Sequence, residues 1–262
     1  MATPNSRTLI WLAGSLVLLT GPYPSSARPA PAETDAAACA QESFRAAQQR
    51  HREAPGEPAA AWQFGRACFD LAEFATNHTQ RASLAEQGMA ACRLAVARES
   101  NSAPAHYYLA MNLGQLARTK GLGALKLVDQ MEREFLWARA LDEHIDYAGP
   151  DRNLGQLYRD APVIGSVGSR SRAREHLKRA VELAPQYPEN QLNLIEADLQ
   201  WGERSAAHVQ LQTLEDLWPA ARTNFTGAVW AANWDDWEPR LKKLKKKLDE
   251  PAKSLGAPRQ HH

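Results

Sequence analysis

AREHLKRAVELAPQYPENQLNLIEADLQWGERSAAHVQLQTLEDLWP, Ala173 to Pro219, repeats itself. Ala173, Leu177, Ala180 and Pro185 return thirty-four positions later as Ala207, Leu211, Leu214 and Pro219. That spacing suits a unit of two antiparallel helices. Small residues sit where backbones approach, a leucine fills the groove between them, and a proline ends the second helix of each unit. Between the two copies lies NQLNLIEADLQWG, a partner helix with Gly202 as its C-terminal cap. One such pair cannot bury its apolar stripe, so neighbours must stack.

The same grammar extends upstream. In GPDRNLGQLYRDAP, Gly149 and Pro150 open a first helix, and Asp160-Ala161-Pro162 closes it. Gly155 is its small residue, with Leu154 and Tyr158 facing the core. WQFGRACFDLAEFA places Gly65 and Cys68 at the small and large positions, and SLAEQGMAACRLAVARES supplies the partner helix with Cys92. HYYLAMNLGQLA and KLVDQMEREFLWARALDEH form the next pair. The reading is an all-α, right-handed α-solenoid of about four helix pairs. Its longer internal connections fall near Asn77, Thr119 and Val163. A C-terminal capping helix follows the last pair.

The 262 residues are 44% hydrophobic and 23% charged, enough for a sizeable core. A net charge of +1 supplies no bulk field for nucleic acid, and no nucleic-acid partner is expected. Residues 1–27 combine an arginine, the apolar run TLIWLAGSLVLLT and small residues at Ser25 and Ala27. They read as a signal peptide cleaved after Ala27, with an uncleaved anchor as the alternative. Residues 28–38 are Pro- and Ala-rich and read as a disordered lead-in, 39–219 as the repeat domain and 220–250 as Trp-rich and basic capping helices. Residues 251–262 read as a disordered tail. The mature protein is expected to be periplasmic or secreted. Cys68 and Cys92 occupy facing positions of one pair, so a disulfide is expected there, leaving Cys39 as the odd thiol.

Trp230, Trp234 and Trp237 share one helical face and read as a cap over the last apolar surface. Leu241, Leu244 and Leu248 form a stripe opposed by lysines. That pattern would suit a solvated terminal helix on the cap, or peripheral membrane association. The acidic stretch Asp142, Glu143, His144 and Asp146 reads as a solvated helix terminus rather than a metal site. No phosphate-binding loop, His-Glu-x-x-His or nucleophile elbow is present, so no catalytic residue, metal or cofactor is assigned.

These repeats resemble tetratricopeptide (TPR) repeats. More narrowly, YAGPDRNLGQLYRDAP followed by RAREHLKRAVELAPQYPENQLNLIEADL resembles the T component of TRAP-type (tripartite, ATP-independent) transport systems. The shared element is Gly149, Pro150, Arg152, Gly155 and Tyr158. The resemblance implies an exported helical protein associated with a periplasmic solute-binding protein, and an oligomer with a ligand-sized cavity. The chain departs from that family in lacking a lipobox cysteine. The expected function is a non-catalytic scaffold for a protein partner. Its contacts would come from polar or amphipathic residues of the first helices: His106, Tyr107, Asn112, Arg152, Asn153, Asn190 and Asn193. The alternative is a periplasmic protein that binds an apolar small molecule.

Overall fold

The computed structural model describes residues 31–250, and among them every regular element is helical. The order is α1 (Pro31–Glu53), α2 (Pro58–Ala72), α3 (His78–Arg98), α4 (Ala103–Ala117), α5 (Leu125–Leu141), α6 (Ile145–Asp160), α7 (Arg170–Leu183), α8 (Pro188–Gln200), α9 (Arg204–Asn224) and α10 (Ala231–Asp249). Short 3₁₀ turns occupy Gly121–Ala124 and Ala228–Trp230. Residues 1–27, read as a signal peptide, and 251–262, read as a tail, lie outside the described residues.

Four antiparallel pairs form the stack: α2 with α3, α4 with α5, α6 with α7, and α8 with α9. Each first helix carries a proline near its start. Pro58, Pro104 and Pro188 occupy the first two positions of α2, α4 and α8, where a missing N–H costs nothing. Two second helices instead begin on a side-chain cap. Asn77 accepts from the Gln80 amide at 2.8 Å, and Ser169 caps the Arg172 amide. The expanded connections are those read from sequence, with a 3₁₀ turn after Thr119 and an irregular loop around Val163. At the end of α8, Gly202 adopts a positive φ of 79°. Its amide bonds to Leu199 O, and the Glu203 amide bonds to Asp198 O at 2.8 Å, so the last carbonyls are satisfied.

Small residues set the pair spacing. A Cβ on Gly155 would lie 2.6 Å from Leu177 Cγ and 3.0 Å from the Leu177 backbone nitrogen. Ala173, Ala180 and Ala207 are fully buried along the same seams. One core runs from α2 to α7, with Phe69, Tyr107, Phe135, Leu154 and Tyr158. A second fills α7 to α10, where Tyr187, Phe225, Trp230 and Trp237 meet at ring-centroid distances of 4.6–6.3 Å. Leu241, Leu244 and Leu248 of α10 are buried on that core.

Four expectations change. Helix α1 starts at Pro31, so Pro31 to Ala38 are helical rather than lead-in. Pro219 does not end its helix. It lies inside α9, which runs on to Asn224, because Ala221 and Phe225 beyond it are drawn into the second core. The tryptophans divide between two elements, with Trp230 in the 3₁₀ turn and Trp234 and Trp237 on α10. The Cys68–Cys92 disulfide is absent, and all three cysteines are free thiols. The Cys92 sulfur instead packs directly against Gly65, which lacks the Cβ that would exclude it. Burial pushes the Cys68 thiol up to about 12, so it stays protonated and inert.

Gly155→Ala tests the spacing. Alanine favours a helix by up to about 1 kcal/mol over glycine. The clash meets backbone as well as side chain, and overpacking costs about 1–3 kcal/mol. The expected result is a lower urea midpoint and a lower Tm, not the gain that helix propensity alone would give.

Candidate functional site

The first helices α2, α4, α6 and α8 line the inner side of the stack. Helix α1 packs on α2, α10 packs on α8, and α1 touches α10. The two ends of the stack therefore meet, and polar side chains on the inner helices become interior.

Their centre is Arg152, with 1% of its side chain exposed. It lies 2.7 Å from Asp146 Oδ2 and 3.8 Å from Glu189 Oε1. Its Nη1 donates to the carbonyls of Asp146 and Tyr147 at 3.0 and 3.1 Å, and its guanidinium covers the Tyr187 ring at 5.1 Å. Burial works against the charge, but Glu189 and Asp146 outweigh it and hold the guanidinium above its ordinary pKa. The Tyr107 hydroxyl donates to Asp146 at 2.5 Å, and Asn153 donates to that hydroxyl at 3.0 Å. Asn190 donates to the carbonyls of Tyr147 and Ala180 at 3.1 and 2.9 Å.

This network encloses strained backbone. Asp146, Tyr147 and Ala148 have φ of 53°, 56° and 61°, three consecutive non-glycine residues in the left-handed region. Each costs about 1–2 kcal/mol. Regular right-handed α6 resumes at Gly149. A Cβ at Gly149 would lie 2.5 Å from the Tyr107 hydroxyl, so only glycine allows this approach.

The seven residues expected to contact a partner are all buried, between 0% and 6% exposed. As a solvent-open contact face, that set is corrected: packing against neighbouring helices buries all seven. Tyr107, Arg152, Asn153 and Asn190 join one network. His106 stands apart, bonded to Glu134 at 2.6 Å and to Ser100 O at 3.0 Å. Asn112 ties α4 to the Gly65 carbonyl of α2 at 2.8 Å. Asn193 accepts from Arg240 at 2.6 Å, and Arg240 also pairs with Glu196 at 2.9 Å, fastening α10 to α8. Tyr158, buried in the core, donates to Glu132 at 2.8 Å. Sequence reasoning missed Asp146, which lay in a stretch read as solvated. Asp142 and His144 are indeed exposed or half-exposed, but the Asp146 side chain is only 3% exposed. It also missed Glu189 and Tyr187, for which Pro188 at a helix start was the only local signal.

Where the ends meet, a cavity of about 350 Å³ lies between α1, α2 and the Ala228–Trp230 turn with the start of α10. Arg66 and Asp70 of α2 face it, 3.6 Å apart. Asp70 Oδ1 is buried without a hydrogen-bond partner. Burial pushes the Asp70 carboxyl up to about 7, against the pull of Arg66 and with help from Asp146 and Glu73.

The family described as "Regulator of microtubule dynamics protein 1-3" matches residues 32–137. That similarity spans α1 to α5, less than half of the chain. A thermophilic TPR protein of Thermus thermophilus, TTC0263, superposes with a TM-score of 0.52 at 18% identity, over 83% of this chain and 95% of that one. MamA superposes at 0.49 and 14% identity, over 74% and 98%. No curated protein matches the chain in sequence. The fold is TPR-like.

The buried charges can be tested one at a time. Arg152→Met leaves Asp146 and Glu189 without their cation and should cost about 3–5 kcal/mol in urea unfolding; a loss below about 1 kcal/mol would refute the clamp. An acid with a raised folded pKa binds its proton more tightly in the folded state. Stability contributed by Asp70 therefore falls as pH rises from about 3.8 to about 7. Asp70→Asn should be more stable than wild type at pH 8, by up to about 4 kcal/mol, with the gap closing toward pH 4.

Proposed function

We propose that the mature chain is an exported, non-catalytic TPR-type scaffold, and that its partner is the solute-binding component of a TRAP-type transport system. The TPR-like fold supports protein binding as the general role, since stacked helix pairs present extended surfaces. The export signal read in residues 1–27 and the Gly149–Tyr158 element support the narrower partner.

With the inner polar residues buried, the partner meets the outside of the stack. The observation that carries this is Trp137 on α5, 58% exposed, beside Leu136 and Leu141 at 38% and 37%. Trp137 is held against His106 at a ring-centroid distance of 6.1 Å. A large, pre-positioned aromatic on an outer face is the residue type that dominates protein interfaces.

The test is co-elution of the mature protein with the TRAP solute-binding protein of its own source. Wild type should form a complex, and Trp137→Ala should weaken it at least about tenfold while leaving Tm unchanged. Wild type eluting free of that protein would overturn the TRAP assignment. A complex indifferent to Trp137→Ala would overturn the docking face.

A further inference from the structure

We propose that the cavity between α1, α2 and α10 binds a small apolar zwitterion, an α-amino acid with a hydrophobic side chain. The proposal is independent of any protein partner, because the cavity lies within one chain and shares no residue with the α5 face.

The cavity's size is the first argument. About 350 Å³ lies at the lower end of the range for small-molecule pockets, roughly 300–1,000 Å³. The walls are largely apolar: Trp62 and Phe69 come from α2, Phe74 from just beyond it, and Val229 from the turn before α10. Alanines of α1, Ala36, Ala40 and Ala47, line the facing side. Large side chains on one wall and small ones on the other leave the space open. The cavity reaches solvent along α1, where Arg50 is exposed.

The polar groups give the ligand's chemistry. Arg50 and Arg66 contribute two positive charges to the lining, and Asp70 and Glu73 two negative ones. A balanced lining of separated charges disfavours a net anion or cation and suits a molecule that carries both signs. Glu73 is already engaged by Arg118 at 3.0 Å. Arg66 and Asp70 pair only through a 3.6 Å ion pair from Arg66 Nε to Asp70 Oδ2, which leaves the other carboxylate oxygen uncovered. Arg66 otherwise lies over the Tyr108 ring at 5.7 Å, and Asp70 Oδ1 has no partner. A buried carboxylate oxygen without a donor is costly and rare in a folded protein.

An α-amino acid answers both needs. Its ammonium and carboxylate are one carbon apart, so they can bridge neighbouring groups of opposite sign. The ammonium donates to Asp70 Oδ1, the carboxylate accepts from Arg66, and the side chain enters the space among Trp62, Phe69 and Val229. Arg50 at the mouth adds a second cation toward the carboxylate.

The experiment is calorimetric titration of the mature protein at pH 8 with L-leucine. Glycine, 3-methylbutylamine and 4-methylpentanoate serve as analogues lacking the side chain, the carboxylate and the amine. Saturable binding of L-leucine is expected, with each analogue at least about tenfold weaker. Asp70→Asn and Arg66→Gln should each weaken L-leucine at least about tenfold, with far-UV circular dichroism showing both variants folded. Absence of saturable binding by L-leucine and by L-phenylalanine up to millimolar concentration would overturn the proposal. So would equal binding of the three analogues, or wild-type affinity in both folded variants.

Discussion

A single buried guanidinium carries the middle of this protein. Arg152 sits between Asp146 and Glu189 with almost no exposure, and it donates to the carbonyls of the strained turn at the start of α6. The turn is unfavourable alone, since three successive residues adopt the left-handed conformation. It persists because the same side chain neutralises Asp146, holds its backbone and stacks over Tyr187. Tyr147, placed by that conformation, stacks on Tyr187 at 4.6 Å and edges against Phe225 and Trp230. The α6 entry and the C-terminal aromatic core thus hold one another in place. Replacing one buried charge by an apolar group removes the compensation for two others, which is why such networks fail together rather than in increments.

Closure of the stack decides where function can lie. In an open solenoid, the polar residues of first helices face solvent and are free to meet a partner. Here α1 and α10 touch, and Arg240 ties α10 across to Glu196 and Asn193 of α8. The inner polar residues become structural, most of them engaged with carbonyls, with carboxylates and with one another. Two places among the described residues offer an exposed aromatic or an open cavity instead. One is the outer face of α5, with its exposed tryptophan. The other is the cavity at the seam between the two ends, where Asp70 keeps an oxygen without a partner.

The sequence carried the repeat because repeat packing is local and periodic. Gly155 against Leu177, Ala173, Ala180 and Ala207 on the seams, and Gly202 as a C-terminal cap are set by helix geometry, and helix geometry is written at short spacing. Pro150, read as opening a first helix, is legible for the same reason. Pro219 misled because a proline can also lie within a helix when the residues beyond it have a core to join.

What the sequence alone determined is the all-helical repeat architecture and the residues that let helices approach. What only the tertiary structure decided is the environment of the polar residues. Asp146 looks solvated in its own stretch, and Arg152 and Asn190 look available. Their burial depends on helices far apart in the chain coming together, and no local pattern encodes that meeting. The state of Cys68 and Cys92 is decided at the same level. Facing positions place two thiols on neighbouring helices, but the space beside Gly65 determined which way the Cys92 sulfur turned.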